Sequence, residues 1–312
     1  MDEAAGEVGD TDRPRRRLSR RSLLIAGAAG AATTGIALGA TTRTLPILDV
    51  LAASVGMNGD PVPKPVVRTE RVYSAARGRE IDLVTFLPSE LPARHLPVCL
   101  LLHGLHGTAR GAAPSGLARK LMRGVARGEL PPFAFVAVDG GNNYWHENRV
   151  GDNSMAMLLD EMPRWLLARG LGDATGTPFA CAGVSMGGFG ALLYARRRVE
   201  RRQPLAAVAA ISPGLLMSWR EMSTRRAFKN NNEWASLDPL RNVEKLGTTP
   251  VGIWCGTEDH FIEGARKFIR LASPEIGYTG PGGHGDPFYR GVVPDVLSFL
   301  GRHAPGSPSR AD

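Results

Sequence analysis

Gly183-Val184-Ser185-Met186-Gly187 places a serine between two glycines at G-x-S-x-G spacing. Phe179 to Ala182 before it is apolar and short enough for a buried strand, and Phe189, Leu192 and Leu193 after it recur at helical spacing. A serine on a strand, sharp turn and helix is a nucleophile elbow. The glycines are needed because a Cβ on either side of so tight a turn collides with neighbouring backbone. The following helix turns its N-terminal amides toward negative charge formed at Ser185. The chemistry predicted is attack of a hydroxyl on an acyl carbonyl, which requires a base, a carboxylate to orient it, and donors for the oxyanion.

Those partners belong in loops beyond the carboxyl ends of the strands. After the apolar run Val251 to Cys255 comes Gly256-Thr257-Glu258-Asp259-His260, and Asp259 is the expected acid; spacing leaves Glu258 and Glu263 open as alternatives. In the chain order Ser, Asp, His, only His260, His284 and His303 come late enough to be the base. His260 adjoins the acid and His303 lies in a polar tail, so His284, on the loop Pro281-Gly282-Gly283-His284-Gly285-Asp286, is the expected base. Because it must be neutral to accept a proton, activity is expected to rise from acid toward neutral pH. After the strand ending at Leu102, the loop His103-Gly104-Leu105-His106-Gly107 can present a backbone N–H. Leu105 N–H and Met186 N–H are therefore the expected oxyanion donors, with His103 and His106 shaping the loop. Tyr144 and Trp145 are the candidate substrate-binding residues; Trp219 and Trp234 either line a site or pack a cap. No C-x-x-C or histidine cluster suggests a metal, and the chemistry needs no cofactor.

The elements that must hold these residues read as alternating strands and amphipathic helices, which predicts a mostly parallel central sheet with helices on both faces. Val66 to Tyr73 and Glu80 to Phe86 read as an opening antiparallel pair around Gly78. Helices are expected at Ser115 to Arg127, Met155 to Ala168 with an interruption at Pro163, and Gly264 to Leu271; a terminal segment runs from Val292 to Arg302. Residues 213–241 read as irregular.

Ahead of this domain, expected over 66–302, stand a signal segment (1–45) and a proline-containing linker (46–65); a polar tail (303–312) follows. Arg20-Arg21 precedes a mildly apolar run from Leu23 to Ala40, like a twin-arginine export signal. That predicts passage through the twin-arginine machinery to a secreted, cell-envelope or, if the segment is retained, membrane-anchored location. Cys99, Cys181 and Cys255 lie in apolar runs and are odd in number, which points to buried thiols. The net charge of +8 is spread along the chain, without the basic face and interleaved aromatics of a nucleic-acid binder.

His103-Gly104-Leu105, Val138-Asp139-Gly140-Gly141, Gly183-Val184-Ser185-Met186-Gly187-Gly188, Ile211-Ser212-Pro213, Cys255-Gly256-Thr257-Glu258-Asp259 and Gly283-His284 together resemble a family of esterases. That family includes esterase D (S-formylglutathione hydrolase), feruloyl and acetylxylan esterases, enterochelin esterases and mycolyltransferases. The resemblance spans about Val66 to Arg302 and implies the α/β-hydrolase fold, Ser185, His284 and Asp259 as the triad, and the same two oxyanion donors. The expected activity is that of an exported serine carboxylesterase on a small-molecule or glycan ester. An acyltransferase moving the acyl group to a sugar hydroxyl and a non-catalytic carbohydrate-binding member of the fold are the alternatives.

Overall fold

β1 (Val66–Ser74) and β2 (Arg79–Leu87) form an antiparallel hairpin with Val66 opposite Leu87 and Ser74 opposite Arg79. Gly78, at φ +61°, makes the turn between them, a conformation that costs glycine little. The computed structural model describes residues 65–89 and 95–306, all within the unit Gly59–Asp312. The expected signal segment, nearly all of the linker and the end of the tail lie outside the described residues.

The hairpin is one end of an eight-stranded sheet. Its other strands are β3 (Val98–Leu102), β4 (Ala134–Val138), β5 (Ala180–Val184), β6 (Ala207–Ile211), β7 (Val251–Gly256) and β8 (Ile276–Gly280). Their order is β1-β2-β4-β3-β5-β6-β7-β8. β2 runs antiparallel to β4, while β4, β3, β5, β6, β7 and β8 are parallel, so the sheet is mostly parallel, as expected, and made mixed by the opening hairpin.

Every residue of β3, β4, β5, β6 and β7 is buried, which explains why their sequences are continuous apolar or small-residue runs rather than alternating ones. Successive side chains enter opposite cores. Leu100, Cys181 and Val208 join Phe189 and Leu192 on one face; Leu101, Ala182 and Ala209 join Leu117, Val296 and Phe299 on the other. The helices divide accordingly. Helices α1 (Leu117–Ala126) and α5 (Asp286–Arg302) cover the second face, and α2 (Met162–Leu167), α3 (Met186–Glu200) and α4 (Ile262–Ala272) the first.

Three elements depart from expectation. The helix expected around Pro163 is a short turn at Ser154–Ala156, a π-helical stretch at Met157–Glu161 and then α2. Pro163, in the first turn of α2, has no N–H to donate, and the Met162 amide reaches back to the Met157 carbonyl instead. Helix α5 begins at Asp286, six residues before the expected start, with Pro287 in its first turn, where a missing N–H costs nothing. Residues 213–241 contain two short α-helices, Trp219–Ser223 and Asn231–Leu237, and a 3₁₀ turn at Pro239–Arg241, each with a side-chain cap: Ser218 with Glu221, Asn230 on the Glu233 amide and Asp238 on the Leu240 amide.

Candidate active site

The chain turns from β5 into α3 at Ser185, which has φ +57° and ψ −120°, a conformation uncommon for any residue with a Cβ. Two glycines make the turn possible. A Cβ at Gly183 would collide with the Gly187 carbonyl, and one at Gly187 with the Leu102 carbonyl of β3. The turn is locked by hydrogen bonds from Ser185 N to Ile211 O (2.9 Å) and from Gly214 N to Ser185 O (2.8 Å). The serine side chain is thus fixed at the carboxyl end of the sheet.

His284 and Asp259 arrive there from the loops after β8 and β7. Ser185 Oγ lies 2.9 Å from His284 Nε2, and His284 Nδ1 lies 2.8 Å from Asp259 Oδ2. With Nδ1–H donating to the carboxylate, Nε2 is left to accept from the serine hydroxyl. Asp259 is almost fully buried, and its other oxygen accepts from the Phe261 amide at 2.9 Å. Burial pushes this carboxyl up, but the hydrogen bonds from His284 and the Phe261 amide outweigh burial and hold it below the usual carboxylate range. Asp259 is therefore an anion at neutral pH. The two carboxylates left open by spacing do not take this place: Glu258 hydrogen-bonds the Thr257 hydroxyl and Glu263 pairs with Arg266. His303 is also elsewhere, on Glu275.

The loop after β3 closes over the serine. A Cβ added at Gly104 would sit 3.4 Å from both Ser185 Cβ and the Val184 carbonyl, so the Gly104–Leu105 backbone is in contact with the elbow. Among the described residues the Leu105 amide has no backbone acceptor, and Met186 is the first residue of α3, where amides lack an intrahelical partner. Two side chains, His103 and Asn142, shape this loop. The Gly140 amide donates to His103 Nε2 at 2.9 Å while His103 Nδ1 donates to the Gly104 carbonyl at 2.8 Å. Burial holds this ring below the ordinary histidine range and keeps it neutral. Asn142 Oδ1 accepts the His106 amide at 2.7 Å.

Ser185 opens into a pocket of about 470 Å³, walled by Leu105, Tyr144, Phe261 and Tyr289 among others. Tyr144 is on the wall as expected of a substrate-binding residue; Trp145, its expected companion, is not. Trp145 is fully buried, its ring covers Gly140 and Gly190, and its indole N–H donates to the His103 carbonyl at 3.3 Å. Tyr144 and Trp145 both have positive φ, 52° and 63°, so the strained pair points one ring to the pocket and the other beneath the loop. Trp219 and Trp234 pack against each other, with Arg241 over the Trp234 ring, and neither lines the pocket.

Two pocket residues were not anticipated in these roles. His260 stands beside His284, with ring centroids 4.6 Å apart, and burial together with the nearby His284 and Arg225 charges holds it below the ordinary histidine range. Arg225 enters from the turn after the Trp219–Ser223 helix. The S-x-x-E at Ser218 and N-x-x-E at Asn230 were the sequence signals for the two helices that bracket it. Asp259, His260 and His284 also form the one group of metal-binding side-chain types found close together among the described residues, but Asp259 and His284 are already spent on the hydrogen-bonded chain to Ser185.

Comparison with known proteins bears on this site. The profile of the family described as Putative esterase matches residues 74–273. A ferulic acid esterase has a similar fold, at 21% identity and a TM-score of 0.62, over 77% of this chain and 98% of its own. The Staphylococcus aureus fluorophosphonate-binding serine hydrolase FphF gives 18% and 0.59 over 76% and 98%, and Mycobacterium tuberculosis MPT51 gives 18% and 0.55 over 74% and 98%. Among curated proteins none matches by sequence. The solved structures share the α/β-hydrolase fold, and since the family profile covers well over half of the chain, this protein is a member of the Putative esterase family.

Proposed function

We propose that the protein is a serine carboxylesterase with Ser185 as nucleophile, His284 as base, Asp259 as the orienting acid, and the Leu105 and Met186 amides as the oxyanion donors. The observation that carries this reading is the continuous hydrogen-bonded chain from Ser185 Oγ through His284 to Asp259 at the floor of an open pocket. Ser185 Oγ attacks the ester carbonyl as its proton passes to His284 Nε2. Asp259 holds the ring by Nδ1–H and stabilises the imidazolium. The carbonyl oxygen becomes an oxyanion between two amides already in place, each contributing about 3 kcal/mol to the transition state. Collapse breaks the ester C–O bond, and the departing alkoxide takes the proton from His284. Water then repeats the sequence on the acyl-serine, giving the free acid and restoring the hydroxyl.

The test is hydrolysis of p-nitrophenyl esters from acetate upward by the purified chain and by Ser185→Ala, with fluorophosphonate labelling of both. Turnover and labelling that both disappear in the variant are expected; turnover that survives Ser185→Ala would overturn the assignment. Product analysis with and without a sugar acceptor distinguishes water from an alcohol as the second substrate. We further infer export through the twin-arginine machinery from Arg20-Arg21 and the run after it. Replacing both arginines by lysine and following the protein in the cell fractions tests that. Among the described residues no helix is long and apolar enough to cross a membrane.

A further inference from the structure

Arg225 is the one fixed positive charge in the wall of the Ser185 pocket, and no acid neutralises it. Among the described residues it makes no ion pair; its Nε is buried without a hydrogen-bond partner, and its guanidinium lies 6.0 Å from the Phe261 ring centroid. Arg225 is half-buried, and a partly desolvated guanidinium whose Nε has no acceptor is costly unless something else supplies one. The carboxylates of the site do not. Asp259 is taken up by His284 and the Phe261 amide, and Asp286, on the pocket wall, accepts the Ser115 amide at 3.0 Å.

The backbone makes this placement deliberate rather than a surface side chain folded inward. Met222, fully buried, anchors the preceding helix, the Arg225 amide donates to the Met222 carbonyl at 3.0 Å, and the next residue, Arg226, turns the chain away at φ +53°. Beyond it the Ala227 carbonyl is held by His146 Nε2 at 2.8 Å. Tyr144 lines the same pocket. Burial pushes its hydroxyl up to about 12, with the Arg225 charge opposing that push, so the hydroxyl is a protonated donor within reach of the guanidinium's field.

We propose that the ester turned over at Ser185 carries an anionic group, of which a carboxylate is the simplest, seated by the Arg225 guanidinium and the Tyr144 hydroxyl. This rests on the esterase reading and names its substrate class. A planar guanidinium fork matches a carboxylate, and one charge-assisted hydrogen bond of this kind is worth about tenfold in affinity. The group can lie on the acyl or on the alcohol side of the ester, and the same chemistry serves both.

Two matched pairs of esters separate these sources: p-nitrophenyl hemiglutarate against p-nitrophenyl valerate for the acyl side, and the butyrate of 4-hydroxybenzoate against that of 4-hydroxybenzamide for the alcohol side. The wild-type chain is expected to favour the anionic member of one pair by about tenfold or more in kcat/KM. Arg225→Gln should bring that ratio close to unity, and Arg225→Lys should keep part of it. Equal turnover within both pairs, or a preference that Arg225→Gln leaves intact, overturns the proposal. Should Arg225→Gln fold poorly, the Lys variant and the salt dependence of the wild-type ratio decide the matter instead, since a charge-based preference must shrink as salt rises. Calorimetric titration of monomethyl glutarate into Ser185→Ala, with and without Arg225→Gln, reads the anion site with no turnover. Binding lost with Arg225 supports it even if every ester fails and the esterase reading falls; no binding to Ser185→Ala overturns it.

Discussion

The elbow at Ser185 and the cap at 213–241 border the same pocket but are held by opposite means. The elbow is built of backbone against backbone: its glycines approach the Gly187 and Leu102 carbonyls so closely that no side chain fits, and one residue is left strained. The cap is built of side chain against backbone. Ser218 accepts the Glu221 amide, Asn230 the Glu233 amide and Asp238 the Leu240 amide, each capping a helix of only a few residues. Reaction chemistry tolerates little displacement, and its geometry is fixed where nothing can rotate. Pocket chemistry sits on a frame of polar caps, where one substitution changes what the wall offers without touching the serine.

The sharpest way to test that division is at the serine and its partners. Ser185→Ala should remove at least about 10⁴-fold of kcat, and Asp259→Asn a similar factor, with little change in Tm. A large fall in Tm with Asp259→Asn would show that the carboxylate holds the fold as well as the ring. Gly183→Ala comes next. A Cβ there meets a backbone carbonyl that has nowhere to move, so about 3 kcal/mol of stability and on the order of 10 °C in Tm should be lost along with activity. A soluble, active Gly183→Ala protein would mean that the elbow is softer than its contacts imply.

The cap should respond to pH instead. Burial raises Asp238 from 3.8 to about 6, with the Leu240 amide and Arg241 only partly compensating. Between those two values the folded state holds the proton more tightly than the unfolded one, so this group's contribution to stability is greatest in acid and is lost as pH rises through about 6. Asp238→Asn, which keeps an acceptor for the Leu240 amide, should therefore be more stable than wild type at pH 7 by on the order of 2 kcal/mol, and by much less at pH 4. Chemical denaturation at the two values checks this; a difference independent of pH would sink it. The smallest effect is expected between the two regions, at the oxyanion loop. Asn142→Ala frees the His106 amide, and kcat should fall about tenfold with KM and Tm nearly unchanged.

The same division explains what could be read from the sequence. The elbow was legible because its geometry permits few residue types, and the buried strands because both of their faces are covered. The hairpin at β1 and β2 was legible from its turn. Trp145 was not: that it lies beneath the loop depends on consecutive positive φ angles at two aromatic residues, which no spacing announces. Arg225 was missed because two helices of five and seven residues leave no apolar period, although Ser218 and Asn230 mark where each begins. The mixed sheet order beyond the hairpin was equally invisible, since strand neighbours are set by crossovers.

Cys99, Cys181 and Cys255 sit on three strands spanning the middle of the sheet, and all three are buried free thiols. Burial pushes each upward, Cys255 to about 12, so almost none is thiolate at neutral pH. A maleimide can reach them only when the sheet opens. The native chain thus carries its own clock: the rate at which it consumes such a reagent reports how often its centre comes apart, while the serine remains free to be followed by a different probe.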